Sequence, residues 1–199
     1  IAQTVYYFYS YFKLGKETIS FSVPTGNFGD VFAGYLAKKM GLPIDKLIVA
    51  TNENDILHRA ISKGDYVSKE VKETLSPSMD IQLASNFERL IYYVNNSDSE
   101  KTAEIMKKVK QNSYQIEKNN LDIIQKDFLS ESCNEQETLD IIKKNYEENN
   151  IILDPHTAVG VGAAKKISFN DCVVLSTAHP CKFPDATNNA INKHEKLPK

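Results

Sequence analysis

Cysteine is scarce in this chain: Cys133, Cys172 and Cys181 are odd in number and form no C-x-x-C pair. That argues against a disulfide framework and against a metal site, and it fits a reducing, cytoplasmic setting. Net charge is nearly lacking as well. Lys and Arg total 24 against 26 Asp and Glu, which leaves no basic field to attract nucleic acid or an anionic membrane. No apolar run reaches the roughly 20 residues that span a bilayer. The opening "IAQTVYYFYSYF" lacks the basic n-region of a secretory signal. The fingerprints G-x-G-x-x-G and G-x-x-x-x-G-K-[ST] do not occur, which disfavours a dinucleotide or nucleoside triphosphate.

What is present suffices for one substantial domain: 199 residues, 41% of them hydrophobic. Ile1, Val5, Phe8 and Phe12 fall at helical spacing, the pattern of a helix entered midway, so a fragment is expected. "TISFSV" (18–23) predicts a strand, "GDVFAGYLAKKM" (29–40) a helix stopped by Gly41 and Pro43, and "KLIVAT" (46–51) a second strand. Residues 18–51 therefore read as a βαβ unit, the building block of a parallel sheet. Short helices are expected at 55–63 and 85–94. From Asn95 the chain turns Lys-, Asn- and Ser-rich with weak periodicity, and a solvated helical insertion is expected over about 95–133. "NEQETLDIIKKNYEEN" (134–149) predicts an amphipathic helix. Asp154 then reads as an N-cap with Pro155 at the first helical position, and "CVVLST" (172–177) as a buried strand.

The stretch "VPTGNFGDVF" raises the question of function. Its two glycines, Gly26 and Gly29, stand where a strand gives way to a helix. A helix N-terminus exposes unpaired N–H groups and partial positive charge, so it suits an anion such as a phosphate. Glycine removes the Cβ where such a group approaches the backbone. A tight turn with close helix–sheet packing accounts for the same spacing, and both readings stay open on the residues alone.

"SVPTGNFGDVFAGYLAKKMGLP", "LIVATNENDIL", "TLSPSMDI", "SNFERL", "LDPHTAVGVGAA" and "LSTAHPCKF" resemble successive blocks of the threonine synthase family. They follow that family's order from Ser22 to Phe183. The resemblance implies a partial fold type II pyridoxal-phosphate domain: three-layer α/β, with a mostly parallel sheet flanked by helices, as in tryptophan synthase β. It also implies a lyase of threonine biosynthesis converting O-phospho-L-homoserine and water into L-threonine and phosphate. Residues 1–199 would be the C-terminal part of its catalytic region.

Carried over position by position, the resemblance places Gly26, Asn27, Phe28, Gly29 and Asp30 around the cofactor phosphate. The Asp30 carboxylate would repel that phosphate, so only its N–H is expected to face it. Thr177, with Ser176 second, would offer a hydroxyl to the pyridine nitrogen. The family's Schiff-base lysine lies upstream of every matched block, so it is expected before Ile1 and the fragment alone is expected to be inactive. The alternative is a non-catalytic threonine-synthase-like protein that binds phosphorylated ligands.

Other residues carry two readings each. Asn52, Glu53, Asn54 and Asp55 follow a strand's end, where open α/β sheets place ligands, or form a cap run ending at Asp55. Ser76, Ser78, Met79 and Asp80 line a substrate loop, or Asp80 caps a turn. His156 is expected to make a structural hydrogen bond. His179 is nearer the proposed pyridine contact, and His58 and His194 read as surface residues.

Overall fold

A computed structural model describes residues 2–169 and 171–193 of the chain. Helix α1 (Thr4–Leu14) precedes β1 (Ile19–Pro24), α2 (Gly29–Lys39) and β2 (Ile44–Thr51). Every residue of β1 and most of β2 are buried, as expected for strands covered on both faces. They pair in parallel, Phe21 beside Leu47 and Val23 beside Val49, so the βαβ unit forms as expected. Helices α3 (Ile56–Lys63), α4 (Phe87–Val94), α5 (Ser99–Lys110) and α6 (Lys118–Asp127) follow. Then come β3 (Phe128–Ser132), α7 (Glu135–Asn149), α8 (Pro155–Lys166), β4 (Val173–Val174) and α9 (Pro184–Ile191). The sheet order among the described residues is β3-β2-β1-β4, and every pairing is parallel.

Two expectations need correction. The stretch read as a solvated helical insertion does form helices, α5 and α6, but it is not merely solvated. Ile105, Val109, Leu121 and Ile124 are buried in the main core, and "FLSES" forms β3 alongside β2. Its apolar residues are only Phe128 and Leu129, so an edge strand with a polar second half left no alternating pattern. The strand expected over 172–177 is shorter and more exposed than predicted. β4 spans two half-buried residues at the sheet's edge, with one further backbone bond from Leu175 N–H to the Ser22 carbonyl at 3.0 Å.

Side-chain alternation divides the sheet into two faces. Phe21, Val23, Leu47 and Val49 enter a large core with side chains from α1 to α6. Ile48 and Ala50 point to the other face, against Val159 and Ala163 of α8. On that face Ser22 Oγ donates to the Gly160 carbonyl at 2.6 Å. Gly160 permits the approach, because a Cβ there would lie 2.9 Å from Val174 Cγ1.

Helix α1 docks through Tyr7, fully buried, while Val5 and Phe12 stay 63% and 73% exposed. Gly34 on α2 explains the choice: a Cβ there would stand 2.4 Å from the Tyr7 ring. No helix among the described residues is long and apolar enough to cross a membrane, and all three cysteines are free.

Candidate functional site

Because the strands run parallel, the segments that leave β1, β2 and β4 emerge at one edge of the sheet, the edge where α/β folds place ligands. The first of these segments is the glycine-containing loop. Its sharp conformation is not made by a glycine: Phe28, the N-cap of α2, has φ 64°. A bulky residue in the left-handed region is strained. Packing holds it there, since the ring is fully buried, edge-on to Phe87 with centroids 5.0 Å apart. The turn at Ser85 and Asn86 grips the same loop. Ser85 donates to Asn27 Oδ1 from its N–H at 2.6 Å and its hydroxyl at 2.9 Å. Asn86 Nδ2 donates to the Asn27 carbonyl at 3.0 Å.

This anchoring leaves the loop's own donors unused. The N–H groups of Gly26, Asn27, Phe28, Gly29, Asp30 and Val31 find no acceptor among the described residues, and ladder bonding resumes with Phe32 N–H to the Phe28 carbonyl. Gly26 has a packing reason of its own: a Cβ would meet the Ser78 carbonyl oxygen at 2.5 Å. A Cβ on Gly29 would have as its nearest neighbour Asn86 Nδ2, at 3.3 Å. The Asp30 carboxylate turns toward Tyr7, whose hydroxyl lies 2.8 Å from the Asp30 carbonyl and 3.2 Å from Oδ1. Burial pushes this carboxyl above its ordinary range, partly offset by the Tyr7 hydrogen bond.

Two hollows join this loop to the segment after β4. One, of about 160 Å³, is lined by Gly26, Ser78, Met79, His156 and Thr177. The other, of about 470 Å³, is lined by Asp30, Ser176, Thr177 and residues of α1 including Tyr6 and Tyr9. Ser176 and Thr177 are both exposed. A larger hollow of about 730 Å³ lies between α2, α4 and α5, lined by rings such as Phe32 and Tyr92. Size does not decide in its favour, because the run of unpaired N–H groups belongs to the loop beside Thr177.

His156 is buried and makes the structural contacts expected of it. Its Nδ1 lies 3.0 Å from Asp154 Oδ1, its Nε2 accepts from the Ser78 N–H at 3.3 Å, and Phe183 packs 4.7 Å from the ring. Sequence reading did not place it, Ser78 or Met79 beside Thr177, since those segments meet only through the fold. Asp154 caps α8 as expected. Burial pushes its carboxyl up, but hydrogen bonds from His156 and Thr157 outweigh that and hold it below the ordinary value.

The remaining candidates are taken up internally. Asp80 Oδ1 accepts from Asn52, Asn54 and Thr74 at 2.8, 3.0 and 2.6 Å. Glu53 pairs with Lys72 at 2.9 Å. Asp55 occupies the N-cap position of α3, but its carboxylate binds Arg59 at 2.9 Å instead of capping. His179 is exposed and accepts from the Cys181 N–H at 3.2 Å. His58 is half-buried, not a free surface residue, 3.2 Å from Ser130 Oγ. His194 lies outside the described residues. No group of three or more metal-ligating side chains occurs among the described residues.

Known proteins share much of this sequence and fold. A family model described as threonine synthase, C-terminal, matches residues 157–199. A threonine synthase from Saccharomyces cerevisiae is 48% identical over 96% of this chain and 42% of its own length. The structure of a threonine synthase from Brucella melitensis, described as bound to PLP, superposes with a TM-score of 0.95 at 44% identity. It covers 98% of this chain and 43% of that one. The Escherichia coli threonine synthase structure gives 0.76 at 30% identity, over 100% of this chain and 42% of that one. The fold is thus that of the fold type II pyridoxal-phosphate enzymes, and the chain spans about two-fifths of the length of the curated relatives it matches. In sequence and in fold, the chain is similar to a part of threonine synthases over nearly its whole length.

Proposed function

We propose that this chain forms the part of a threonine synthase that holds the phosphate and pyridine ends of pyridoxal 5'-phosphate. The reaction is the conversion of O-phospho-L-homoserine and water into L-threonine and phosphate. The observation that carries this reading is the run of unpaired N–H groups from Gly26 to Val31 at the start of α2, beside the hollow lined by Gly26 and Thr177.

The residues suit the group. A phosphate ester needs several convergent donors and no side-chain cation at a helix N-terminus. Gly26, Asn27, Phe28, Gly29 and Asp30 offer theirs from the backbone. The Asp30 carboxylate, engaged with Tyr7, is occupied away from that role. Thr177, an exposed residue lining both hollows on the neighbouring segment, carries a hydroxyl suited to a heteroaromatic nitrogen. A neutral hydroxyl does not force a proton onto that nitrogen as a carboxylate would.

When bound, pyridoxal phosphate supplies the electron sink for carbanion chemistry. The chain's own residues orient it by fixing its two ends. The lysine that anchors its aldehyde belongs to a preceding N-terminal portion, so residues 1–199 act as the C-terminal part of a larger catalytic region.

The test is product formation. The whole protein containing this segment, given pyridoxal phosphate and O-phosphohomoserine, should release phosphate and threonine in equal amounts, and the 199-residue chain alone should release neither. Turnover without the cofactor, or by the chain alone, overturns the reading.

A further inference from the structure

We infer that Asp154 is a positioning residue that sets both ends of the candidate cofactor site at once. This rests on the assignment of that site under Proposed function. A cap for α8 needs little: Asp154 Oδ1 accepts from the N–H groups of His156 at 3.0 Å and Thr157 at 3.3 Å, and Ser or Asn caps a helix equally well. The same carboxylate, 1% exposed, also receives two side chains. His156 Nδ1 stands 3.0 Å from Oδ1, and the Thr157 hydroxyl donates to Oδ2.

The consequence is one of polarity. An ionised carboxylate only accepts hydrogen bonds, so it draws the proton of each neighbour to its own side. His156 then carries its proton on Nδ1, and Nε2 is free to accept the Ser78 N–H at 3.3 Å. That bond fixes the turn whose Ser78 carbonyl fills the space a Cβ on Gly26 would need. This arm reaches the phosphate loop. Thr157, its hydroxyl proton committed to Asp154, accepts the Thr177 N–H at 3.4 Å. This arm reaches the residue assigned to the pyridine nitrogen. An amide at position 154 would put a donor where one oxygen accepts, and one arm would lose its direction.

The experiment compares the whole protein with the variants Asp154→Asn, His156→Phe, Thr157→Val and Thr157→Ser, each shown folded by near-UV circular dichroism. The readouts are dissociation constants for pyridoxal phosphate and for pyridoxal, which lacks the phosphate, and the visible absorbance of the bound cofactor. His156→Phe should lower the preference for the phosphorylated form by roughly tenfold, the scale of one lost hydrogen bond to an ion, with the spectrum kept. Thr157→Val should shift the spectrum and keep the preference, and Thr157→Ser should restore the wild-type spectrum. Asp154→Asn should reproduce one of these two effects, that of the arm its new amide donor faces. Folded His156→Phe and Thr157→Val proteins with wild-type preference and spectrum overturn the inference even if Asp154→Asn does not fold. A wild type that shows no preference for pyridoxal phosphate over pyridoxal refutes the phosphate-loop assignment itself, which is a distinct result.

Discussion

The two faces of the sheet are filled by opposite means. Toward α1–α6 the packing is by bulk, with Tyr7, Phe21, Phe28, Tyr66, Phe87 and Phe128 fully buried. Ring pairs such as Tyr7 and Phe21, 4.7 Å apart, interlock there. Toward α8 the packing is by closeness: Gly160 and Gly162 leave no room for a Cβ, and Ala50, Val159 and Ala163 fill the gap. The aromatic face supplies buried area. The small-residue face lets the N-terminus of α8, with Asp154, His156 and Thr157, come close to the sheet's edge. Both converge on the loop, where Phe28 roots one side in rings and Gly26 lies against Ser78 on the other.

The largest effect is expected on the aromatic face. Phe28→Ala removes a ring packed against Phe87 and Phe128 and should cost about 3–5 kcal/mol in denaturant unfolding. Phe28→Gly should cost about 1 kcal/mol less, because the position holds a left-handed backbone that only glycine adopts without strain. A glycine variant less stable than the alanine one would show that no strain is held at position 28.

On the other face the smaller Gly162→Ala should cost about 1–3 kcal/mol by overpacking. The added Cβ would stand 2.4 Å from Cys133 Sγ and 2.6 Å from Ile141 Cδ1. Cys133→Ala in the same chain should return part of that cost, so the two changes should fail to add. Strict additivity would mean that α8 is not held by close approach.

What the sequence disclosed follows the same division. The βαβ unit was legible because its strands are short β-branched runs punctuated by Gly41 and Pro43, and the cap of α8 because Asp154 and Pro155 stand together. The six ordered blocks disclosed the similarity to threonine synthases. β3 escaped because an edge strand needs only one apolar face and "FLSES" offers two apolar residues. The strain at Phe28 escaped because positive φ is looked for at glycine, and here burial of a ring enforces it. The link from Asp154 to Gly26 and Thr177 runs between segments far apart in the chain, so no local spacing records it.

The central claim is that the N–H groups from Gly26 to Asp30 hold the cofactor phosphate beside Thr177. A crystal structure of the whole protein with pyridoxal phosphate bound tests it most directly. The expected result is phosphate oxygens about 2.7–3.2 Å from several of those nitrogens, at hydrogen-bond distance, with Thr177 Oγ1 facing the pyridine nitrogen. A phosphate held by lysine or arginine side chains elsewhere, with the Gly26–Asp30 N–H groups facing solvent, would contradict it.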